Sequence, residues 1–293
     1  MADSLKQTVQ WFPGHMAKTR RLIKESLPLI DAVTELLDAR IPMSSRNPEL
    51  DELTQKKPRI VLLNKCDMAD SKTTAQWIEY FKAHGQYAIA VDCRTGKGLS
   101  QYQPLIRKVL SDKIKSNEEK GMPGKPLRVM VVGIPNTGKS SFINRMAGKS
   151  RAKVADKPGV TRHNQWFAIG SGIELLDTPG VLWPKFDDPE VGDKLSFIGS
   201  VKDEVTDSET MALRLLKILV KDYPTLLCER YKLKTQDITD AQPYEILEAI
   251  GRKRGMLIRG GEIDIERASV MLLDEYRSAK LGKISFENPK DYL

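Results

Sequence analysis

The segment Gly133-Ile134-Pro135-Asn136-Thr137-Gly138-Lys139-Ser140 constrains the fold more than any other stretch, because it fits the phosphate-loop pattern G-x-x-x-x-G-K-[ST]. It follows an apolar run, Leu127–Val132, that predicts a buried strand, and it leads into Ser141–Met146, which predicts the first turns of a helix. In that setting the glycines let the backbone curl until successive N–H groups point at phosphate oxygens, and the helix N-terminus adds partial positive charge. Lys139 is placed to reach the β- and γ-phosphates, and the Ser140 hydroxyl to hold Mg²⁺. Asn136, Thr137, Gly138 and Ser141 complete the contacts expected from this loop. The motif implies binding of a nucleoside triphosphate.

At 293 residues, with 40% hydrophobic and 29% charged side chains, the chain predicts two globular domains. No apolar run approaches the about 18 residues of a membrane span, and the first residues show neither a signal core nor an Arg-rich transit character. Cys66, Cys93 and Cys228 are odd in number and lack metal-ligand spacing, which argues against a disulfide framework or a zinc site. A cytoplasmic protein without a membrane partner is expected. Residues 1–189 carry a net +10 and residues 190–293 a net −2, together the stated +8. That excess favours a polyanionic partner such as RNA.

A second motif lies upstream. Arg59–Leu63 predicts a buried strand, and it ends at Asn64-Lys65-Cys66-Asp67, the N-K-x-D tetrapeptide with which many GTPases read guanine. The Asp67 carboxylate can accept from the ring N1–H and the exocyclic amino group, which adenine does not offer in that geometry. Asn64 suits the N7/O6 edge, and the Lys65 stem can lie along the base and brace the phosphate loop. After a helix over 71–83 and a strand over 87–91 comes Asp92-Cys93-Arg94-Thr95-Gly96, where Cys93 and Arg94 stand in the place of the usual Ser-Ala-Lys loop that gives a backbone N–H to guanine O6. A long helix over about 99–115 then runs into a polar, Gly- and Pro-containing linker, 116–126.

Downstream of the phosphate loop, Ala155–Arg162 lacks apolar periodicity and reads as a mobile loop whose Thr161 is a second Mg²⁺ ligand and γ-phosphate sensor. Two strands, 165–169 and 173–176, lead to Asp177-Thr178-Pro179-Gly180. Asp177 sits where a GTPase holds Mg²⁺ through water, and the Gly180 N–H would touch the γ-phosphate. The residue after this D-x-x-G is Val181, where Ras-like enzymes carry the Gln that orients the attacking water.

The parts are those of a GTPase, but their order is not. Ordinarily the phosphate loop comes first and N-K-x-D late; here N-K-C-D and the 92–96 loop precede it. The expected fold class is α/β: a circularly permuted P-loop GTPase with a doubly wound sheet over 1–185, followed by a smaller all-α domain over 186–293. With W-F-P-G-H-M-A-K (11–18), L-D-A-R-I-P (37–42), N-K-C-D, G-I-P-N-T-G-K-S, P-G-V-T-R (158–162) and D-T-P-G, the sequence closely resembles the circularly permuted GTPases of the ribosome biogenesis GTPase A (YlqF) family. The resemblance implies GTP hydrolysis during late assembly of the large ribosomal subunit, contact with ribosomal RNA through the helical domain, and no role for DNA. A monomer is expected.

The same resemblance points to His15 as the catalytic replacement for the missing Gln. From the residues alone His15 also reads as a helix-start residue beside the aromatic anchor Trp11-Phe12. Asn136 matches the Asn of K⁺-stimulated GTPases, so K⁺ joins GTP and Mg²⁺ among the expected ligands. From about Glu190 the chain predicts helices, with Ser208 and Thr210 offering a cap and Pro224 and Pro243 marking breaks. Its RNA contacts are expected at Arg252-Lys253-Arg254 with Arg259, or at Arg230, Lys232 and Lys234; on the GTPase side the phosphate-seeking charge gathers at Lys18–Lys24 and Arg145–Lys157.

Overall fold

Among the described residues six strands form one sheet: β1 (Ala32–Asp38), β2 (Arg59–Asn64), β3 (Tyr87–Ala90), β4 (Leu127–Val132), β5 (Gln165–Ala168) and β6 (Ile173–Asp177). Their spatial order is β3-β2-β1-β4-β6-β5, and only β5 runs antiparallel to its neighbour. All seven residues of β1 are buried, and so are five of six in β2 and in β4. A parallel sheet covered on both faces buries its central strands along nearly their whole length. The computed structural model describes residues 13–148, 165–183, 186, 188–201 and 207–292.

One face is covered by α4 (Tyr102–Val109) and α6 (Lys139–Ala147), whose Tyr102, Ile106, Phe142 and Ile143 join Ala32, Leu36, Val129 and Val131 in the largest core cluster. Buried Tyr102 meets Thr34 across this face, hydroxyl to hydroxyl at 2.7 Å. The other face carries α1 (Pro13–Ser26), α2 (Pro48–Thr54) and α3 (Ser71–Ala83). In α3 the residues Thr74, Trp77 and Phe81 recur at helical spacing and are buried, and Asp70 caps its N-terminus by accepting from Thr73 N at 2.7 Å. The single helix expected over 99–115 is instead two, α4 and α5 (Ser111–Glu119), broken at Leu110, so the linker shortens to 120–126. The break lets Leu110 itself enter the core.

The chain divides into an α/β unit, Gln10–Phe186 together with Ser285–Leu293, and a helical unit within Asp187–Ile284. The span 186–293 expected to be wholly helical domain thus gives its last residues to the α/β unit. Trp77 Nε1 donates to the Glu287 carbonyl at 3.2 Å, the Tyr292 ring lies 5.5 Å from that of Trp77, and Ser285 Oγ accepts from Asp70 N at 3.1 Å.

The helical unit is built from α7 (Pro189–Phe197), α8 (Ser208–Asp222), α9 (Pro224–Tyr231), α10 (Gln236–Thr239), α11 (Pro243–Lys253) and α12 (Ile265–Arg277). Leu215, Leu216 and Leu219 of α8, Ile246, Leu247 and Ile250 of α11 and Leu272 and Tyr276 of α12 are among its buried apolar residues. The cap of α8 is Asp207 rather than Ser208, accepting from Thr210 N at 2.9 Å. Pro224 and Pro243 open α9 and α11, where a missing N–H costs nothing.

Candidate nucleotide site

Parallel pairing brings the C-terminal ends of the central strands to one edge. Asp38 stands in register with Asn64, β4 delivers the phosphate loop beside β1, and Asp177 pairs with Val131 on the far side. Strands progress outward in both directions from β1 and β4, so the crevice between them is the switch point at which doubly wound sheets bind ligands.

The loop leaves β4 at Gly133, and α6 begins at Lys139 behind Gly138, whose φ of 96° is left-handed. A Cβ at Gly138 would strike Asn64 Nδ2, so glycine is demanded there twice over. Asn136 is also left-handed, at φ 61°. Thr137 is buried, with its hydroxyl on the Ile134 carbonyl at 2.9 Å. Ser140 and Ser141 are half-buried in the first turn of α6. The Lys139 ammonium donates to the Ile134 carbonyl at 2.8 Å. Burial pushes its pKa down to about 8, against the pull of the Asp177 carboxylate. Asp177 is 2% exposed, and Thr178 next to it fixes the following turn by donating to the Val131 carbonyl at 2.7 Å.

Asn64 ties the guanine side to this loop. Its Nδ2 donates to the Thr137 carbonyl at 2.7 Å and its Oδ1 accepts from Cys93 N at 3.0 Å. The brace expected of Lys65 is therefore made by Asn64. Lys65, at φ 59°, instead holds Asp38 Oδ2 at 3.0 Å. Asp38 is fully buried and also pairs with buried Arg40, at 2.9 Å from Nε and 2.8 Å from Nη2. Burial alone would raise the Asp38 carboxyl, but the charges of Arg40 and Lys65 hold it well below the usual carboxylate range. In the 92–96 loop, Cys93 N is spent on Asn64, and Arg94 N donates to Asp92 Oδ1 at 2.8 Å. Neither N–H is idle, so a bond from this loop to guanine O6 has to be shared with an existing acceptor. The Arg94 guanidinium covers Asp67 Oδ2 at 3.3 Å, whereas buried Asp67 Oδ1 has no hydrogen-bond partner among the described residues.

A family model described as a 50S ribosome-binding GTPase matches residues 128–250. Ribosome biogenesis GTPase A of Priestia megaterium is 48% identical over 97% of this chain and 98% of its own, and that of Thermotoga maritima is 36% identical over 97% and 95%. Solved structures of GDP-bound TM YlqF and of GNP-bound YlqF from T. maritima superpose with TM-scores of 0.66 at 32% identity, covering 92% and 93% of this chain and 100% and 99% of theirs. The chain belongs to the ribosome biogenesis GTPase A family. It is a GTPase, and its fold is the circularly permuted P-loop sheet.

A GTPase of this family needs a guanine reader, a phosphate cradle and a Mg²⁺ site. The orphaned Asp67 oxygen fits the first, and the Gly138 turn with buried Lys139 fits the second. For Mg²⁺, Ser140 and Asp177 are described and Thr161 lies outside the described residues. One hydroxyl and one buried carboxylate suit a cation that keeps waters and takes phosphate oxygens. His15 falls within α1, but its side chain lies outside the described residues. The Val181 side chain is turned into the core with Ile23, Val33, Leu50 and Met130, away from any role on water. Sequence reasoning missed Asn47, whose Nδ2 donates to the Val181 carbonyl at 2.9 Å. Asn47-Pro48 signals a helix cap, and nothing more, to a reader of the sequence.

Proposed function

We propose that this chain is a GTP-hydrolysing assembly factor for late maturation of the large ribosomal subunit, binding the particle and its rRNA in the GTP state and leaving on hydrolysis. The observation that supports the reading is the set of parallel strand ends, where Asp67 follows β2, Lys139 follows β4 and Asp177 closes β6, while Val181 is buried in the core. The site binds and polarises GTP but leaves the attacking water without the usual orienting side chain, so hydrolysis is slow alone and stimulated by the ribosomal subunit. Asn64, Lys65, Asp67, Cys93 and Arg94 hold the guanine end. Asn136 to Ser141 and Gly180 hold the phosphates. Mg²⁺ bound by Ser140, Thr161 and Asp177 neutralises developing charge on the phosphates. Asn136 takes K⁺, and His15 supplies the water-orienting group. The protein acts as a monomer in the cytoplasm, without DNA or membrane; among the described residues no helix is long and apolar enough to cross a membrane.

The test is GTP turnover with and without purified large subunits, in K⁺ buffer, for the natural chain and His15→Ala. Strong stimulation lost in the variant is the expected result. Undiminished stimulation in His15→Ala would remove that residue from catalysis, and equal rates in K⁺ and Na⁺ would remove the potassium site. A second reading, a GTP-sensing RNA-binding module that barely hydrolyses, draws on the same buried Val181; absence of stimulation would favour it.

A further inference from the structure

The turn Asp38–Asn47 is gripped from two sides. At its end Asn47, 1% exposed, caps α2 by accepting from Glu49 N at 2.9 Å and donates to the Val181 carbonyl at 2.9 Å. Val181 directly follows D-T-P-G, and its own N–H lies 3.4 Å from the Gly133 carbonyl of the phosphate loop. Nearer its start the turn holds the C-terminal segment. The Arg40 carbonyl accepts from Phe286 N at 2.9 Å, and the Glu287 carboxylate accepts from Met43 N at 2.7 Å, Ser44 N at 3.1 Å and the Ser44 hydroxyl. The Ser45 hydroxyl accepts from Asp38 N at 3.0 Å and donates to the Pro42 carbonyl at 3.1 Å, so the two grips share one cross-linked turn.

The phosphate-sensing side is closely seated as well. A Cβ on Gly180 would lie 2.8 Å from Lys139 Nζ and 3.0 Å from Pro135 N. A γ-phosphate that takes both the Lys139 ammonium and the Gly180 N–H has to part groups that abut here. Displacing Gly180 displaces Val181, whose carbonyl belongs to Asn47.

We propose that the Asp38–Asn47 turn is a two-ended latch, in which Asn47 positions the γ-phosphate-sensing turn and Glu287 holds the C-terminal segment, so that a bound γ-phosphate and a docked C-terminal segment oppose each other. The inference rests on the guanine-nucleotide reading of the crevice. Binding at two sites that bias one element is reciprocal, so a perturbation at either end must appear at the other.

Hydrogen–deuterium exchange on the full chain, with Mg²⁺ and either GDP or a non-hydrolysable GTP analogue, tests it. Amides of 40, 41, 43–46, 286–288, 290 and 291 exchange about five-fold faster with the analogue, the scale of one hydrogen bond. Asn47→Ser keeps the helix cap but cannot reach Val181. It erases that difference and shifts relative affinity about five-fold toward the analogue. Glu287→Gln shifts the same ratio in the same direction. Equal exchange in the two nucleotides, with both bound, overturns the latch, and so does a difference that survives Asn47→Ser. Failure to bind either nucleotide overturns the guanine reading, and the latch with it.

Discussion

Asp67 shows how much a single carboxylate can decide. One oxygen is covered by Arg94 and the other is buried without a partner among the described residues, so the group waits for two donors spaced as on guanine. Asp67→Asn should lower GTP affinity about 100-fold, the scale of charge-assisted bonds lost in a buried site. The amide can donate to a carbonyl at the base's second carbon, so xanthosine triphosphate should gain what GTP loses; competition binding with the two nucleotides checks both. Asp67 and Asn64 are legible in sequence because the shape of guanine dictates the residue types and the strand end dictates their place. Asn47 is not, since its partner lies 134 residues away and only folding introduces them. The partner of the Lys65 ammonium is hidden for the same reason. Its nearest carboxylate, Asp38, sits on the neighbouring strand in register with Asn64.

Among the elements, α12 carries the clearest departure from what charge counting suggests. Glu275 on α12 is 7% exposed and accepts from Arg230 of α9 at 2.8 and 2.5 Å, from the Tyr231 hydroxyl at 2.9 Å and from Arg254 at 3.3 Å. Arg254 also lies over the Tyr231 ring, 5.3 Å from its centre. Two of the arginines expected to meet RNA, Arg230 and Arg254, are thus engaged on Glu275, while Arg254 is also exposed, as are Lys232, Lys234, Arg252, Lys253 and Arg259. Arg145 of α6 is likewise engaged, on the Arg94 carbonyl at 2.7 Å. A run of basic residues reads alike whether it is solvated or paired, because its acidic partner can come from any other helix. Burial alone would raise the Glu275 carboxyl, but Arg230, Tyr231 and Arg254 hold it below its ordinary 4.5. A carboxyl lowered in the folded state stabilises above the ordinary value, and that contribution is lost as pH falls through the lowered one. Glu275→Gln should thus cost about 1–3 kcal/mol near pH 7, with the gap to the natural chain closing at strongly acidic pH. Urea denaturation across that range measures it.

At the scale of the whole molecule, the permuted order was legible because each motif keeps its own chemistry wherever the chain is cut. The strand order then follows: N-K-C-D must end a strand beside the phosphate-loop strand's neighbour, as β2 does beside β1. The return of the C-terminal segment had no such signature. Nothing in Ser285–Tyr292 names its partners, and the grip depends on one glutamate meeting the backbone of a distant turn. Removing residues 285–293 should leave the helical unit's buried residues in place and weaken the α/β unit, since Trp77 loses both the Glu287 carbonyl and the Tyr292 ring. A thermal midpoint lowered by about 5–10 °C is expected if some 3 kcal/mol is lost, with tryptophan emission shifted to the red. An unchanged midpoint would show the segment to be dispensable.

The same return imposes a schedule on synthesis. A growing chain releases its guanine-reading strands first, its phosphate loop later, and the clasp for Trp77 and the Arg40 turn only after both. At about 5–20 residues per second, the interval between the Asp177 turn and Tyr292 is on the order of ten seconds. During it the nucleotide pocket exists without its final brace.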